Sequence, residues 1–257
     1  MHNVTSADGA TITFEVSGAG PPLVLVHGSL TNRNTNWFAV KPAFAEKFTV
    51  YAIDRRGRGE TSATQGHTIQ DEFEDVVAVI RFVGEPVFLL GHSYGAQTAL
   101  GATVLVPGLV RKLVLYEPPW PGRNDDQMRA LEGDAARRDW EGFVSRFLHE
   151  ILTMPKSELD TLKATPFWPM LVAEAEATLG DFHAFWSYKF KASNFASLSM
   201  PVLLLYGTKS PPQIYVTDAL LKALPNAQKV ALTDTGHDAV MTDPQQFTTK
   251  VNAFLLG

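Results

Sequence analysis

The chain has 257 residues, 45% of them hydrophobic and 19% charged, with a net charge of −5. That length and apolar content suit one large α/β domain with room for an insertion. The acidic balance, without a long basic run, argues against nucleic acid as a partner, and the absence of cysteine excludes a disulfide framework and a thiolate metal site.

Residues 2–17 alternate apolar and polar and turn at Asp8-Gly9, a hairpin signal, with Ile12, Phe14 and Val16 on one face. Gly18-Ala19-Gly20-Pro21-Pro22 breaks the pattern, and Leu23-Val24-Leu25-Val26 reads as a buried strand ending at His27-Gly28-Ser29-Leu30. A polar loop over 31–36 leads to a short predicted helix over 37–47. The strand Phe48–Ile53 then runs into Asp54-Arg55-Arg56-Gly57-Arg58-Gly59, the densest basic cluster, which reads as a loop. Thr68 caps a predicted helix over 69–83, with Phe73, Val76, Val77, Ile80 and Val83 on one side. Strands are expected at 87–90, 112–117, 202–206 and 227–232, with helices at 214–224 and after Asp243-Pro244. Strands alternating with helices predict a mostly parallel sheet with right-handed crossovers. From 120 to 199 the strand rhythm stops, and four of the five tryptophans (Trp120, Trp140, Trp168 and Trp186) fall in this stretch. It reads as a helical lid, residues 120–199, inserted into a core made of 1–119 and 200–257. The first residues lack the basic and apolar regions of a signal peptide, and no apolar run approaches about 18 residues. The expectation is a soluble, cytoplasmic protein without a membrane partner.

Val87-Phe88-Leu89-Leu90-Gly91-His92-Ser93-Tyr94-Gly95-Ala96 organises the rest. A short apolar strand enters a Gly-x-Ser-x-Gly turn, and small residues lead out as a helix. Such a turn exposes its serine and demands small residues two positions to either side. A serine hydroxyl needs a base to take its proton, and the base needs a group that fixes its tautomer. Of the seven histidines, only His237, in Thr235-Gly236-His237-Asp238, lies late in the chain between a strand and a helix, in the order nucleophile, acid, histidine.

Pro21-Pro22 to His27-Gly28, Asp54-Arg55-Arg56-Gly57-Arg58-Gly59, Gly91-His92-Ser93-Tyr94-Gly95 and Gly236-His237, in this order and spacing, resemble the α/β-hydrolase fold family over essentially the whole chain. The resemblance implies an eight-stranded sheet flanked by helices, with a helical cap after the sixth strand. It also implies an oxyanion hole of two backbone N–H groups, from Tyr94 and from Ser29, with Leu30 the alternative to Ser29. Such donors contribute about 3 kcal/mol each to transition-state stabilisation. No cofactor is implied.

The sequence departs from the family at the acid. Most members carry an aspartate after the seventh strand, in a Gly-x-x-Asp pattern. Here that strand runs into Gly207-Thr208-Lys209-Ser210, and Ser210 cannot carry the charge. Because the sixth and seventh strands are neighbours in this fold, Glu117, at the end of the sixth, is the best substitute. Asp234 and Asp238 flank the base too closely in sequence to orient it well. The expected triad is Ser93–His237–Glu117. Aspartate-nucleophile chemistry is excluded by Ser93. No metal-binding spacing is visible, so no metal site is expected. The aromatic residues of the insertion serve equally as its own core or as pocket wall. Trp120 and Trp186 are assigned to the substrate pocket, together with Leu30 and Tyr94 from the core. The reading is a hydrolase of a small carboxylic ester or lactone. The rivals are a ligand-binding protein on the same scaffold, favoured by the missing acid, and an amide or carbon–carbon hydrolase using the same parts.

Overall fold

The computed structural model describes residues 1–62, 66–121 and 124–257. One sheet of eight strands runs in the order β1-β2-β4-β3-β5-β6-β7-β8. The strands are β1 (His2–Thr5), β2 (Thr11–Ser17), β3 (Pro22–Val26), β4 (Thr49–Ile53), β5 (Val87–His92), β6 (Val110–Tyr116), β7 (Val202–Gly207) and β8 (Ala227–Leu232). The pairs β1–β2 and β2–β4 are antiparallel and the others parallel, as the alternation of strands and helices predicts.

The continuous apolar runs follow from burial on both faces. Val24, Val26, Leu89, Leu113, Leu115, Val202 and Leu204 enter one core, which holds the helices Ile69–Val83 and Tyr94–Leu105. The alternating Leu23, Leu25, Leu90, Val114, Tyr116, Leu203 and Leu205 enter the opposite core, with Phe44 and with Phe247 and Val251 of the closing helix Pro244–Leu256. Thr68 caps its helix as expected, in a capping box with Asp71, and Asp243 caps the closing helix through Gln246 N–H.

The predicted helix over 37–47 is instead two short helices, Arg33–Trp37 and Lys41–Ala45. Asn32 is the reason: its side chain accepts from the N–H groups of Asn34 and Thr35 and starts a helix inside the polar stretch.

Between β6 and β7 the regular elements among the described residues are helices, including Asp125–Ala136, Trp140–Arg146, Phe167–Ala173 and Ala175–Trp186. They share a cluster of their own, built on Leu131, Phe143, Val144, Phe147 and Trp168. The insertion leaves the sheet at the carboxyl end of β6, the end at which ligands bind in such sheets. No described helix is long and apolar enough to cross a membrane.

Candidate active site

Ser93 follows β5 with φ 55° and ψ −126° and opens the helix Tyr94–Leu105. The flanking glycines are dictated by contact. A Cβ on Gly91 would strike the Gly95 carbonyl and the Ala96 backbone, and one on Gly95 would strike the carbonyls of Val26 and His27. A Cβ on Gly28 would lie 3.1 Å from Ser93 Cβ, so the backbone after β3 closes directly on the serine. Left-handed φ values recur at Leu30 (56°), Glu117 (48°) and Asp234 (57°). Each costs of order 1 kcal/mol or more, and such strain gathers where neighbouring structure over-determines a loop.

Glu117 is fully buried at the end of β6. Its Oε1 accepts the Gly207 N–H at 2.7 Å, and its Oε2 lies 2.6 Å from His237 Nδ1. The β6–β7 pairing thus places a strand-end carboxylate beside the histidine without an aspartate after β7. The Tyr215 hydroxyl is 3.0 Å from the same nitrogen and its ring stacks on the imidazole. Burial first, then the Glu117 charge, pushes the Tyr215 phenol well above its ordinary value, so it stays protonated. With Nδ1–H turned to Glu117, Nε2 is left as the basic nitrogen of His237. Among the described residues the Ser93 hydroxyl has no hydrogen bond to His237; such contacts commonly tighten only when substrate is bound.

The other strand-end histidines hold loops in place. His92 Nε2 donates to the His237 carbonyl at 3.0 Å, and its ring stacks on Tyr116. His27 Nδ1 donates to the Gly28 carbonyl at 2.8 Å while its Nε2 accepts the Arg55 N–H at 3.1 Å. Burial lowers the pKa of both rings well below the usual value and keeps them neutral.

Ser29, Ser93 and Tyr94 line a cavity of about 310 Å³, with Trp120, Met128, Phe182 and Trp186 among its walls. Its lining is largely aromatic and aliphatic, with Asn124, Gln127, Gln213 and Asp181 as polar points. The Tyr94 N–H stands in the first turn of its helix, without an intrahelical acceptor, and no acceptor for the Ser29 N–H is found among the described residues. Leu30 is a correction. It does not line the cavity: its side chain joins the cluster of the inserted helices, and its N–H is already donated to Thr178 Oγ1 at 2.9 Å.

Sequence reading missed the polar support of this site. Asp181 accepts hydrogen bonds from Ser29 Oγ at 2.8 Å, from Arg55 Nη2 at 2.6 Å and from Arg58 Nη2 at 2.7 Å. Arg55 also pairs with Glu72, which accepts the Tyr94 hydroxyl at 2.8 Å. The two guanidinium groups outweigh burial and hold the Asp181 carboxyl well below the usual range. Arg56 is engaged too, by Asp75 and Asp8. The signal in the sequence was the basic cluster Arg55-Arg56-Gly57-Arg58, which reads as a loop without showing its partners.

A family model described as "Alpha/beta hydrolase family" matches residues 23–250. The solved structure of an alpha/beta hydrolase from Sphaerobacter thermophilus is similar at a TM-score of 0.82 and 31% identity, covering 96% of this chain and 100% of that one. A pimeloyl-[acyl-carrier protein] methyl ester esterase of Nitrosomonas europaea is 25% identical over 257 residues, 95% of this chain and 99% of that protein. One of the same name from Methylococcus capsulatus is 31% identical over 143 residues, 52% of this chain, and the chain spans 54% of its length. From β3 to the closing helix, the chain belongs to the alpha/beta hydrolase family.

Proposed function

We propose that this protein is a serine hydrolase that cleaves a small carboxylic ester or lactone through an acyl-enzyme. The observation that carries this reading is the buried Glu117 carboxylate 2.6 Å from His237 Nδ1, because it supplies the acid whose loss from the usual position would otherwise favour a binding protein.

Ser93 Oγ attacks the ester carbonyl as His237 Nε2 takes its proton. Glu117 fixes the imidazole tautomer and stabilises the imidazolium. The oxygen that becomes negative is received by the N–H groups of Ser29 and Tyr94. Collapse of the tetrahedral intermediate breaks the bond to the leaving alkoxide, which takes the proton from His237. Water, deprotonated by the same nitrogen, then attacks the acyl-enzyme and frees Ser93 and the carboxylic acid. In a lactone the leaving alcohol stays tethered and the product is a hydroxy acid.

The inserted helices act as a cap that closes the acyl pocket with Phe182, Phe185 and Trp186. The cavity volume and the largely apolar lining favour medium-length or aromatic acyl groups. The esterase names among the relatives support ester cleavage. The test is turnover of p-nitrophenyl esters of graded acyl length beside simple lactones. The reading expects hydrolysis abolished in Ser93→Ala and a rate maximum at medium chain length. Inert wild type across the panel, with tight binding of a ligand, would favour the binding-protein reading.

A further inference from the structure

The loop that follows β3 has a problem of its own. Leu30 sits at φ 56°, a conformation costing a non-glycine residue about 1–2 kcal/mol, so something outside the loop must hold it. What holds it is the inserted helix Ala175–Trp186. Glu174 at its N-cap, Thr178 and Asp181 stand on one side at successive turns. Asn32 Nδ2 donates to Glu174 Oε1 at 2.7 Å, the Leu30 N–H to Thr178 Oγ1 at 2.9 Å and Ser29 Oγ to Asp181 Oδ2 at 2.8 Å. Each of three loop residues is therefore fastened by a different side chain of one helix. The helix is itself fastened to the core, because Arg58 reaches both Thr178 Oγ1 at 3.2 Å and Asp181. Thr178 and Asp181 are both buried.

We infer that Thr178 and Asp181 are positioning residues for the oxyanion donor at Ser29: an element of the insertion, and not the core alone, sets the geometry of the oxyanion hole. The inference rests on the function proposed above. The reason for expecting a catalytic and not merely a structural effect is the tolerance of the chemistry. A displacement of about 1 Å in a stabilising group costs on the order of a hundredfold in rate while leaving substrate affinity nearly intact. Thr178→Val keeps the shape but removes the acceptor of the Leu30 N–H exactly where the backbone is strained, and the loop then relaxes. The same helix carries Phe182, Phe185 and Trp186 on the cavity wall, so the acyl group touches the element that holds the donor. Acyl fit and oxyanion geometry are then coupled through one rigid helix.

The experiment compares wild type, Thr178→Val, Thr178→Ser and Ser29→Ala, with two readouts. One is kcat and KM on the best p-nitrophenyl ester. The other is inhibition by a trifluoromethyl ketone, which forms a tetrahedral oxyanion adduct with the serine, against the matching methyl ketone, which binds without one. Thr178→Val is expected to lower kcat and trifluoromethyl ketone affinity together, by about 10- to 100-fold. KM and methyl ketone affinity stay within about twofold, and Thr178→Ser, which keeps the hydroxyl, restores both. Ser29→Ala retains its N–H but loses the link to Asp181, and is expected to move in the same direction with a smaller loss. If wild type hydrolyses the ester and Thr178→Val binds both ketones as wild type does, the inference fails and the proposed function stands. If wild type neither hydrolyses esters nor forms the adduct, the proposed function fails and takes the inference with it.

Discussion

Replacing Glu117 by Gln probes the account at its most unusual point, and the size of the effect follows from two hydrogen bonds. Oε1 of Glu117 accepts the buried Gly207 N–H at 2.7 Å, while Oε2 accepts from His237 Nδ1 at 2.6 Å. A glutamine has one acceptor and one donor end. Its carbonyl must face Gly207, because two donors cannot face each other in a dry site without a penalty of about 1–3 kcal/mol. The amide NH₂ is then turned to His237 Nδ1, which must become an acceptor. The ring proton moves to Nε2, and the nitrogen that should take the Ser93 proton already carries one. A wrong-tautomer defect of this kind costs about 10⁴ in kcat, or roughly 5.5 kcal/mol. The assay is kcat/KM on the best ester, with a thermal melt to show that the variant is folded. Glu117→Asp, one methylene shorter, keeps the charge but not the reach, and falls between the two. A folded Glu117→Gln enzyme within tenfold of wild type would refute the tautomer argument and the acid assignment with it.

Adding Ser210→Asp to Glu117→Gln returns a carboxylate to the usual place after β7. Because Ser210 borders the same small hollow as Glu117 and Tyr215, we expect at least a tenfold recovery of kcat/KM, and no recovery would contradict the proposed equivalence of the two positions. Tyr215→Phe removes the hydroxyl that shares the Nδ1–H and is expected to lower kcat/KM about three- to tenfold; an unchanged rate would make the tyrosine a packing residue. Gly95→Ala drives a Cβ into the carbonyls of Val26 and His27, expected to cost roughly 3 kcal/mol of stability by urea unfolding, and an unshifted midpoint would contradict that packing. The Asp181 carboxyl is held below its unfolded-state value, so its contribution to stability is complete above that value, about 3.9, and is lost as pH falls through the lower folded one. The melting-temperature gap between wild type and Asp181→Asn should therefore narrow below about pH 4; a gap that widens there would reverse the assigned sign.

The sheet was readable because both faces are covered: residues such as Leu23 and Val24 enter opposite cores, so strands appear as unbroken apolar runs bounded by glycine and proline. The turn at Ser93 was readable for a related reason, since backbone crowding at Gly91 and Gly95 leaves no choice of residue. Glu117 was proposed from the fold resemblance and the neighbour relation of the sixth and seventh strands, which no local pattern carries. Thr178 and Asp181 escaped because their partners stand far away in sequence. Asp181 meets Ser29 across 152 residues and Arg58 across 123, and a threonine or aspartate inside an aromatic helix has no periodicity to betray it. Leu30 was misplaced because its left-handed backbone, set by contact with the insertion, could not be inferred from the loop alone. The aromatic residues of the insertion serve both purposes: Phe143 is wholly in its core and Trp186 on the cavity wall.

The most direct test of the central claim is intact-mass analysis of the protein after exposure to a fluorophosphonate, followed by peptide mapping. An activated serine is predicted to take up one phosphonyl group, with loss of fluoride, at Ser93, and labelling should disappear in Ser93→Ala and slow by orders of magnitude in Glu117→Gln. Absence of any adduct on folded wild type, or labelling that persists in Ser93→Ala, would contradict the assignment of Ser93 as a nucleophile activated by His237 and Glu117.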